Sequence, residues 1–249
     1  MQTAATPKAP RLYLAGANTT QTHELVKGRH VLESFADIRV VTGAYRPLWG
    51  GALLDSGAFT VMTTGKPVDI GAYREFVAAH GQFYDACAAL DVIDGDWKQS
   101  VANWRAMPGT FPTWHEGEPF GLWRDYLAEQ SDGGWVGVGM QRVNGRINKP
   151  RCRSVLAELK QQTPEHSAHV HGWGLTMYAT DYPFASTDSA AWIRMVLDHK
   201  NNAGLRHLTN SELMQITIAR LERAPWRERW DPNWCASRAD STAQLSLLK

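Results

Sequence analysis

Residues 52–59 are ALLDSGAF, a short apolar run that ends at Asp55 and is followed by a turn of small residues. A short apolar run bounded by turn residues is typical of a strand that is buried on both faces. Further runs of this kind recur along the chain, and buried strands of this type predict a parallel sheet. The predicted strands are 52–54, 86–90, 110–114, 135–138, 168–170 and 184–187.

Helical patterns lie between these runs. The clearest covers 70–79, where apolar residues recur on one helical face and Asp69 is placed to act as the N-cap. The other predicted helices are 97–106, 122–129, 154–161, 190–199 and 211–223. Strand and helix alternate without a break in composition, which favours an α/β fold with a single (β/α)8 TIM-like barrel. A Rossmann fold is the alternative, but no GxGxxG motif opens a helix, and Gly137-Val138-Gly139 lacks the third glycine.

Domain organisation follows from the same alternation. We expect residues 1–10 to form a flexible arm and residues 11–249 to form one barrel domain. Residues 224–249 begin with alternating Trp, Arg and Pro, and we expect them to cap the barrel, although a contact with a ligand is the other interpretation.

Composition excludes several classes of protein. The 249 residues carry 26 Lys+Arg against 25 Asp+Glu, so neither charge-driven disorder nor a globally basic nucleic-acid binder is expected. The three cysteines form no CxxC pair, which argues against a disulfide scaffold and a zinc ribbon. We find no apolar stretch of about 18 residues and no signal-peptide core, and therefore expect a cytoplasmic protein without membrane contact.

Aspartates follow three of the predicted strands directly. Asp55 ends the first run above, Asp91 follows Leu90, and Asp188 follows the run 184–187. Because the carboxyl ends of barrel strands converge on one face, we expect the three carboxylates to share one pocket. The alternative for each is a helix N-cap, and for Asp188, which precedes a predicted helix, this alternative is a close competitor.

Such a trio suits glycosyl transfer to or from a purine. One carboxylate can attack an anomeric carbon while a second handles the proton of the leaving group. A third carboxylate can accept hydrogen bonds from N1–H and N2–H of guanine. The residues therefore indicate a site that selects guanine.

The ordered set of segments from about residue 50 to residue 190 resembles the tRNA-guanine transglycosylases. Residues 55–59 are similar to their DSGG(F/Y) signature, and residues 89–91 to their base-recognising acid after a strand. Residues 137–140 resemble their glycine-rich strand end, and residues 170–174 the MGxG element that follows it. Residues 184–188 fall where the family keeps its nucleophilic aspartate.

Two departures refine the resemblance. The enzymes that act on tRNA carry a zinc site of clustered cysteines, whereas here only Cys235 follows Asp188, and the chain is also much shorter. The chain is thus most similar to the compact, zinc-free 7-deazaguanine DNA transglycosylases of phages and bacteria. The resemblance implies exchange of guanine in DNA for a free 7-deazaguanine such as preQ0 or preQ1, with no cofactor, no metal and no zinc subdomain.

The resemblance also implies roles for individual residues. Asp188 would attack C1′ of the nucleotide, and Asp55 would serve as acid and base. Asp91 would bind the N1–H/N2–H edge, while His115, which stands where the family has a glutamine, and Gly139 would reach O6. The remaining base-binding positions, including the rings or side chains that would sandwich the base, are Ser56, Phe59, Met140, His171 and Trp173.

Residues 142–153 hold five basic side chains and no acid, directly after a predicted strand. We predict that they contact the phosphates of the nucleic acid, and a solvated basic loop is the alternative. The residues are Arg142, Arg146, Lys149, Arg151 and Arg153.

Other functions stay open on the sequence alone. His169 and His171 lie two apart on a predicted strand and so face one side, which would suit a metal-dependent barrel hydrolase. The same acids with water as the acceptor would make a base-excising glycosidase. A tRNA-guanine transglycosylase and a non-catalytic nucleic-acid-binding module complete the set.

Overall fold

The computed structural model describes residues 10–38, 45–93, 96–143, 146–163, 166–199 and 207–223. Its contacts divide the chain into two compact units, Met1–Ser189 and Ala190–Lys249. All strands of the described residues lie in the first unit. They are β1 (Arg11–Ala15), β2 (His30–Ser34), β3 (Gly51–Asp55), β4 (Ala86–Ala88), β5 (Thr110–Phe111), β6 (Thr113–His115), β7 (Trp135–Gly139), β8 (Arg142–Val143), β9 (Arg146–Ile147), β10 (His169–Gly172) and β11 (Ser186–Ser189).

Nine of these strands form a nearly closed parallel barrel. Their order is β5-β4-β3-β2-β1-β11-β10-β7-β6, and every neighbouring pair is parallel. The remaining two, β8 and β9, form a separate antiparallel hairpin. The architecture is thus an α/β, TIM-like barrel.

The strand count differs from the predicted eight at one place. The run predicted as a single strand over 110–114 is divided into β5 and β6, with only Pro112 between them. Proline has no N–H to donate to a ladder. Consequently β5 pairs with β4 on one side, whereas β6 pairs with β7 on the other.

The helices of the described residues follow the predicted pattern closely, with two additions. They are α1 (Thr20–Leu25), α2 (Ala58–Thr64), α3 (Ile70–His80), α4 (Trp97–Arg105), α5 (Phe120–Glu129), α6 (Lys149–Gln162), α7 (Ala191–His199) and α8 (Asn210–Glu222). Asp69 caps α3 as predicted, because its Oδ1 accepts hydrogen bonds from the backbone of Gly71 at 2.8 Å and Ala72 at 3.1 Å. The short helices α1 and α2 were not predicted.

Two layers of apolar packing hold the barrel. Tyr13, Leu53, Ala88 and Phe111 lie on β1, β3, β4 and β5 and pack together. Trp135 of β7, near the other end of the strand order, packs against them, which places this cluster in the barrel interior. Residues one position along the strands face outward and pack against the helices. The largest outer cluster joins β7 to α5 and α6. Side chains therefore fill the barrel interior below the carboxyl ends of the strands, and the three aspartates lie at those ends.

The second unit contributes α7 and α8. A capping box between Thr209 and Glu212 begins α8, which buries Leu213, Ile218 and Leu221. The predicted cap at 224–249 and nearly all of the predicted arm, residues 1–9, lie outside the described residues. A single domain over 11–249 stays a prediction. Among the described helices, none combines the length and apolar character needed to cross a membrane.

Candidate active site

The three aspartates lie at the carboxyl ends of barrel strands. Asp55 is the last residue of β3, Asp188 lies within β11, and Asp91 follows β4 by three residues. Asp55 shares the inward face of β3 with Leu53, since residues two apart in a strand point to the same side. Asp91 and Asp188 both lie close enough to Asp55 to raise its pKa by charge repulsion. The structure thus brings the three carboxylates together.

The environment of Asp55 favours the protonated acid. Burial is the largest cause, the charge of Asp91 adds to it, and Asp188 contributes further, which together raise the pKa of Asp55 to about 7. A hydrogen bond from the backbone N–H of Gly57 to Oδ2 at 3.2 Å opposes the shift. Gly57 has φ +88 and lies against Ala36, which explains the glycine of the DSG turn. A carboxyl group that titrates near neutrality can both donate and accept a proton.

We expect Asp55→Asn to stabilise the protein at pH 8. In the folded state Asp55 keeps its proton up to about pH 7, whereas in the unfolded chain it ionises near pH 4. Unfolding therefore releases a proton between these values, and the wild-type protein loses stability as the pH rises. Urea unfolding should give the variant about 4 kcal/mol more stability at pH 8 than the wild type, and almost no gain at pH 4.

Asp125→Asn is the matched control for that measurement, because Asp125 is an exposed aspartate on α5. It should leave the free energy of unfolding unchanged at both pH values. A gain for Asp55→Asn that is equal at pH 4 and pH 8 would contradict the raised pKa of Asp55.

Asp91 forms a charged chain with His115 and Glu118. His115 Nε2 lies 2.9 Å from Asp91 Oδ2, and its Nδ1 lies 3.5 Å from Glu118 Oε1. Glu118 also accepts a hydrogen bond from the backbone N–H of His115 at 3.0 Å. Burial lowers the pKa of His115, but the two carboxylates outweigh it and raise the pKa to about 10. His115 is therefore an imidazolium at neutral pH.

Two neighbours complete this chain. Gly139 ends β7 beside the His115 ring, and a Cβ at this position would lie 2.5 Å from His115 Cδ2, so only glycine leaves room for the imidazole. Glu118 was not predicted. Its position three residues after His115, in a short turn between a strand and α5, is the signal that could have found it.

Asp188 is held by contacts to one of its oxygens. The backbone N–H of Gly174 donates to Oδ1 at 2.6 Å, and His171 Nε2 lies 3.4 Å from the same atom. These contacts run to the loop after β10 and to β10 itself. They differ from those of a helix N-cap, which was the alternative for this residue.

Three predicted base-binding residues are buried. Ser56 is fully buried, and its Oγ accepts a hydrogen bond from the backbone of Ala58 at 3.3 Å. Met140 packs in the outer cluster between β7 and its helices, because it follows the inward-facing Gly139 by one position. His171 is 0% exposed and lies beneath Asp188. Base contact by Ser56 and His171 stays a prediction, whereas the outward packing of Met140 is unfavourable to it.

Phe59 and Trp173 keep positions that suit contact with a ring. Phe59 is 47% exposed, and the guanidinium carbon of Arg142 lies 5.8 Å from its ring centroid. Arg142 also lies against Gly174 in the loop that holds Asp188. Trp173 is half-buried and stacks on Phe111, with ring centroids 6.1 Å apart.

The basic segment is the β8–β9 hairpin followed by the start of α6, rather than the solvated loop that was the alternative to phosphate contacts. Asn148 caps α6, and Pro150 lies in its first turn. Arg151 on α6 pairs with the buried Glu116, and Arg153 pairs with Asp181 at 3.6 Å. Since their charges are already balanced, these two arginines are poor candidates for phosphate contacts. Those that remain candidates are Arg142, Arg146 and Lys149, of which the last two are exposed.

No group of three or more histidine, cysteine or acidic residues in the described part of the chain is arranged to hold a metal ion. His169 packs its ring against Trp135 at 5.4 Å, and its neighbour His171 turns to Ser186 and Asp188 instead. Cys87 and Cys152 are buried free thiols, while Cys235 lies outside the described residues.

Comparisons with known proteins find similarity among solved structures. No protein-family model matches the sequence. No curated protein matches it significantly. Among solved structures, the chain is similar to the YdjI aldolase from Escherichia coli K12, at 8% sequence identity and a TM-score of 0.47, over 86% of this chain and 88% of that one.

Proposed function

We propose that this protein is a DNA-guanine transglycosylase, which exchanges guanine in DNA for a free 7-deazaguanine base. The observation that carries the proposal is the meeting of Asp55, Asp91 and Asp188 at the carboxyl ends of barrel strands, where the charges of the other two raise the pKa of Asp55. The resemblance of five ordered segments to the tRNA-guanine transglycosylases supports it. The similarity to their compact, zinc-free relatives favours DNA as the substrate.

The reaction would proceed by two displacements at C1′. A carboxylate oxygen of Asp188, which we assign as Oδ2, attacks C1′ while the C1′–N9 bond breaks and Asp55 gives its proton to the departing guanine. The ester between Asp188 and C1′ is the intermediate. The incoming deazaguanine then loses its N9 proton to Asp55 and attacks C1′, and the C1′–Oδ2 electron pair returns to Asp188. Two inversions retain the configuration at C1′.

Asp91 would recognise the base. Its Oδ2 faces the His115 imidazolium, so its charge is partly balanced while lone pairs remain for N1–H and N2–H of guanine. A 7-deazaguanine presents the same edge, so one pocket can hold both the leaving and the incoming base. Adenine offers an acceptor at N1, which would face the remaining lone pairs of the Asp91 carboxylate without donating a hydrogen bond to them, and this is costly.

The target base must leave the DNA stack to reach these acids. Phe59 and Trp173 are the rings we assign to stacking, an interaction worth about 1–3 kcal/mol per base. Arg142, Arg146 and Lys149 would contact the phosphates that flank the extruded nucleotide.

Base exchange can be tested directly with the purified protein. Radiolabelled guanine or preQ0 is incubated with the protein and either DNA or tRNA, and the acid-precipitable label is counted. We expect label in DNA, none in tRNA, and none with Asp188→Asn. Chelator should leave the incorporation unchanged.

Other outcomes would overturn the proposal in recognisable ways. Label in tRNA alone would identify the protein as a tRNA-guanine transglycosylase. Release of guanine from DNA without uptake of a base would identify it as a base-excising glycosidase. Loss of activity with chelator would show a metal-dependent reaction. Neither release nor uptake with any substrate would reject base exchange altogether.

The exposed basic residues should set the salt dependence of DNA binding. Arg146→Gln and Lys149→Gln should each weaken binding and reduce the slope of log K against log salt by about 1, because each removes roughly one released counterion. Fluorescence anisotropy with a labelled oligonucleotide at several salt concentrations measures this slope.

Arg151→Gln should leave the slope nearly unchanged, since Arg151 is paired with Glu116. Lys160→Gln, in the last turn of α6, is the control for a change of charge on the same helix. Equal slopes for all four variants would show that the hairpin and the start of α6 do not contact the DNA.

A further inference from the structure

His171 lies between a serine and the proposed nucleophile. Its Nδ1 is 2.8 Å from Ser186 Oγ, and its Nε2 is 3.4 Å from Asp188 Oδ1. The imidazole is fully buried, and Nε2 makes no hydrogen bond of ordinary length. The N–H of Gly174 donates to the same carboxylate oxygen. A polar atom this deeply buried needs a partner, and Asp188 Oδ1 is the acceptor it faces.

We propose that His171 is a positioning residue, whose Nε2–H and the Gly174 N–H together hold Asp188 Oδ1 and make this carboxylate a good leaving group in the second displacement. This inference rests on the proposed function, because it assigns a role in the breakdown of the glycosyl-enzyme.

The tautomer follows from the charges around the ring. An ionised Asp188 can only accept hydrogen bonds, so a lone pair on Nε2 would face a negative oxygen and be repelled. A proton on Nε2 removes this repulsion. Nδ1 is then the acceptor, and Ser186 donates its hydroxyl hydrogen to it. At 3.4 Å the Nε2–H contact is long, and such contacts often shorten in the reacting complex.

Packing keeps the ring in this orientation. The Trp173 indole meets the His171 ring edge-on, with centroids 4.4 Å apart, and the Tyr13 ring lies 6.0 Å away. Tyr13 is itself fixed by a hydrogen bond from its hydroxyl to Asp85 at 2.6 Å. The donor therefore needs little reorganisation when charge develops on Asp188, which is the condition for efficient electrostatic stabilisation.

Serine, histidine and aspartate in contact also form the triad of serine hydrolases, but burial excludes that role here. Ser186 is 1% exposed, so its hydroxyl cannot reach a substrate. It can only orient the imidazole. The nucleophile in this group is Asp188.

The two displacements should depend differently on His171. In the free enzyme the donors already stabilise the Asp188 carboxylate, so they give no advantage to its attack on C1′. In the ester intermediate Asp188 is neutral, and its charge returns as the C1′–Oδ2 bond breaks. Donors on Oδ1 stabilise that returning charge, so the second displacement should lose most when His171 is removed.

Single-turnover kinetics separate the two steps. Guanine release reports the first displacement, labelled preQ0 uptake reports the second, and a denaturing gel detects the covalent enzyme–DNA adduct. His171→Leu should slow uptake by about 100-fold, change guanine release by only a few fold, and make the adduct accumulate. His171→Gln, which keeps an N–H donor at a similar distance along the side chain, should restore most of the uptake.

Equal slowing of both steps, unchanged uptake, or failure of glutamine to rescue uptake would overturn the inference. Nitrogen NMR of His171 in the unmodified protein at pH 7.5 tests it even where the leucine variant does not fold. A proton on Nε2 supports the assignment, and a proton on Nδ1 alone overturns it. A wild-type protein that neither releases guanine nor takes up preQ0 would instead reject the proposed function.

Discussion

Asp188→Asn should reduce base exchange by about 10⁴-fold, because the amide cannot form the ester with C1′ on which both displacements depend. The change preserves shape, and the amide oxygen can still accept the hydrogen bond from Gly174. Asp91 and His115, which would recognise the base, remain in place. The variant should therefore bind guanine with an affinity close to that of the wild type while forming no covalent adduct.

The measurement combines exchange, adduct formation and base binding on the same preparations. Asp125→Asn, an exposed substitution of the same type on α5, should behave as the wild type in all three. Exchange at the wild-type rate by Asp188→Asn would show that another group attacks C1′. A loss of guanine affinity equal to the loss of exchange would show that Asp188 binds the base rather than the sugar.

Asp55→Asn should slow exchange by about 10²- to 10⁴-fold, the usual contribution of a general acid or base. The pH dependence identifies the role. The pKa of Asp55 is raised to about 7, chiefly by burial and by Asp91, so the proton needed by the leaving guanine is lost above that pH. In the wild type, guanine release should fall tenfold for each pH unit above about 7, whereas uptake of the deazaguanine should fall below it.

Single-turnover assays between pH 5.5 and 9 check this expectation. Asparagine neither donates nor accepts a proton in this range. In the variant, guanine release should therefore not fall above pH 7, and uptake of the deazaguanine should not fall below it. If both pH dependences persist in Asp55→Asn, the titrating group is a different residue. Together with the increased stability expected at pH 8, the loss of activity would show that this acid lowers stability and serves the reaction.

The sequence predicts most elements because their signals are local. The runs and helical patterns correspond to β3, β4, β7, β10, β11 and to helices from α3 onward, with ends within a few residues, apart from the earlier start of α6. β2 was not predicted, because the charged Glu33 interrupts the apolar run by which buried strands are recognised. Its charge is buried by Arg46 and by the hydroxyl of Tyr84, which lies 51 positions further along the chain, and no local pattern shows such a pairing.

The site could be predicted only where the placement of a residue follows from a local pattern in the sequence. The placement of Asp55, Asp91 and Asp188 follows from strand ends, which the sequence reveals. The placement of Met140 could have been predicted from alternation, since it directly follows Gly139 on an inward face. The ion pairs of Arg151 and Arg153 could not, because Glu116 and Asp181 come from other loops and nothing in the spacing connects them.

The position of β11 has a consequence for folding. This strand, which carries the proposed nucleophile, pairs with β1 on one side and β10 on the other, and its contact with β1 joins residues about 175 positions apart, as in Tyr13 opposite Asp188. Contacts of such long sequence separation are slow to form because a large loop must be closed first. A nascent or partly folded chain would therefore place Asp55 and Asp91 in the site before Asp188. It would remain chemically inert until β11 has paired with β1.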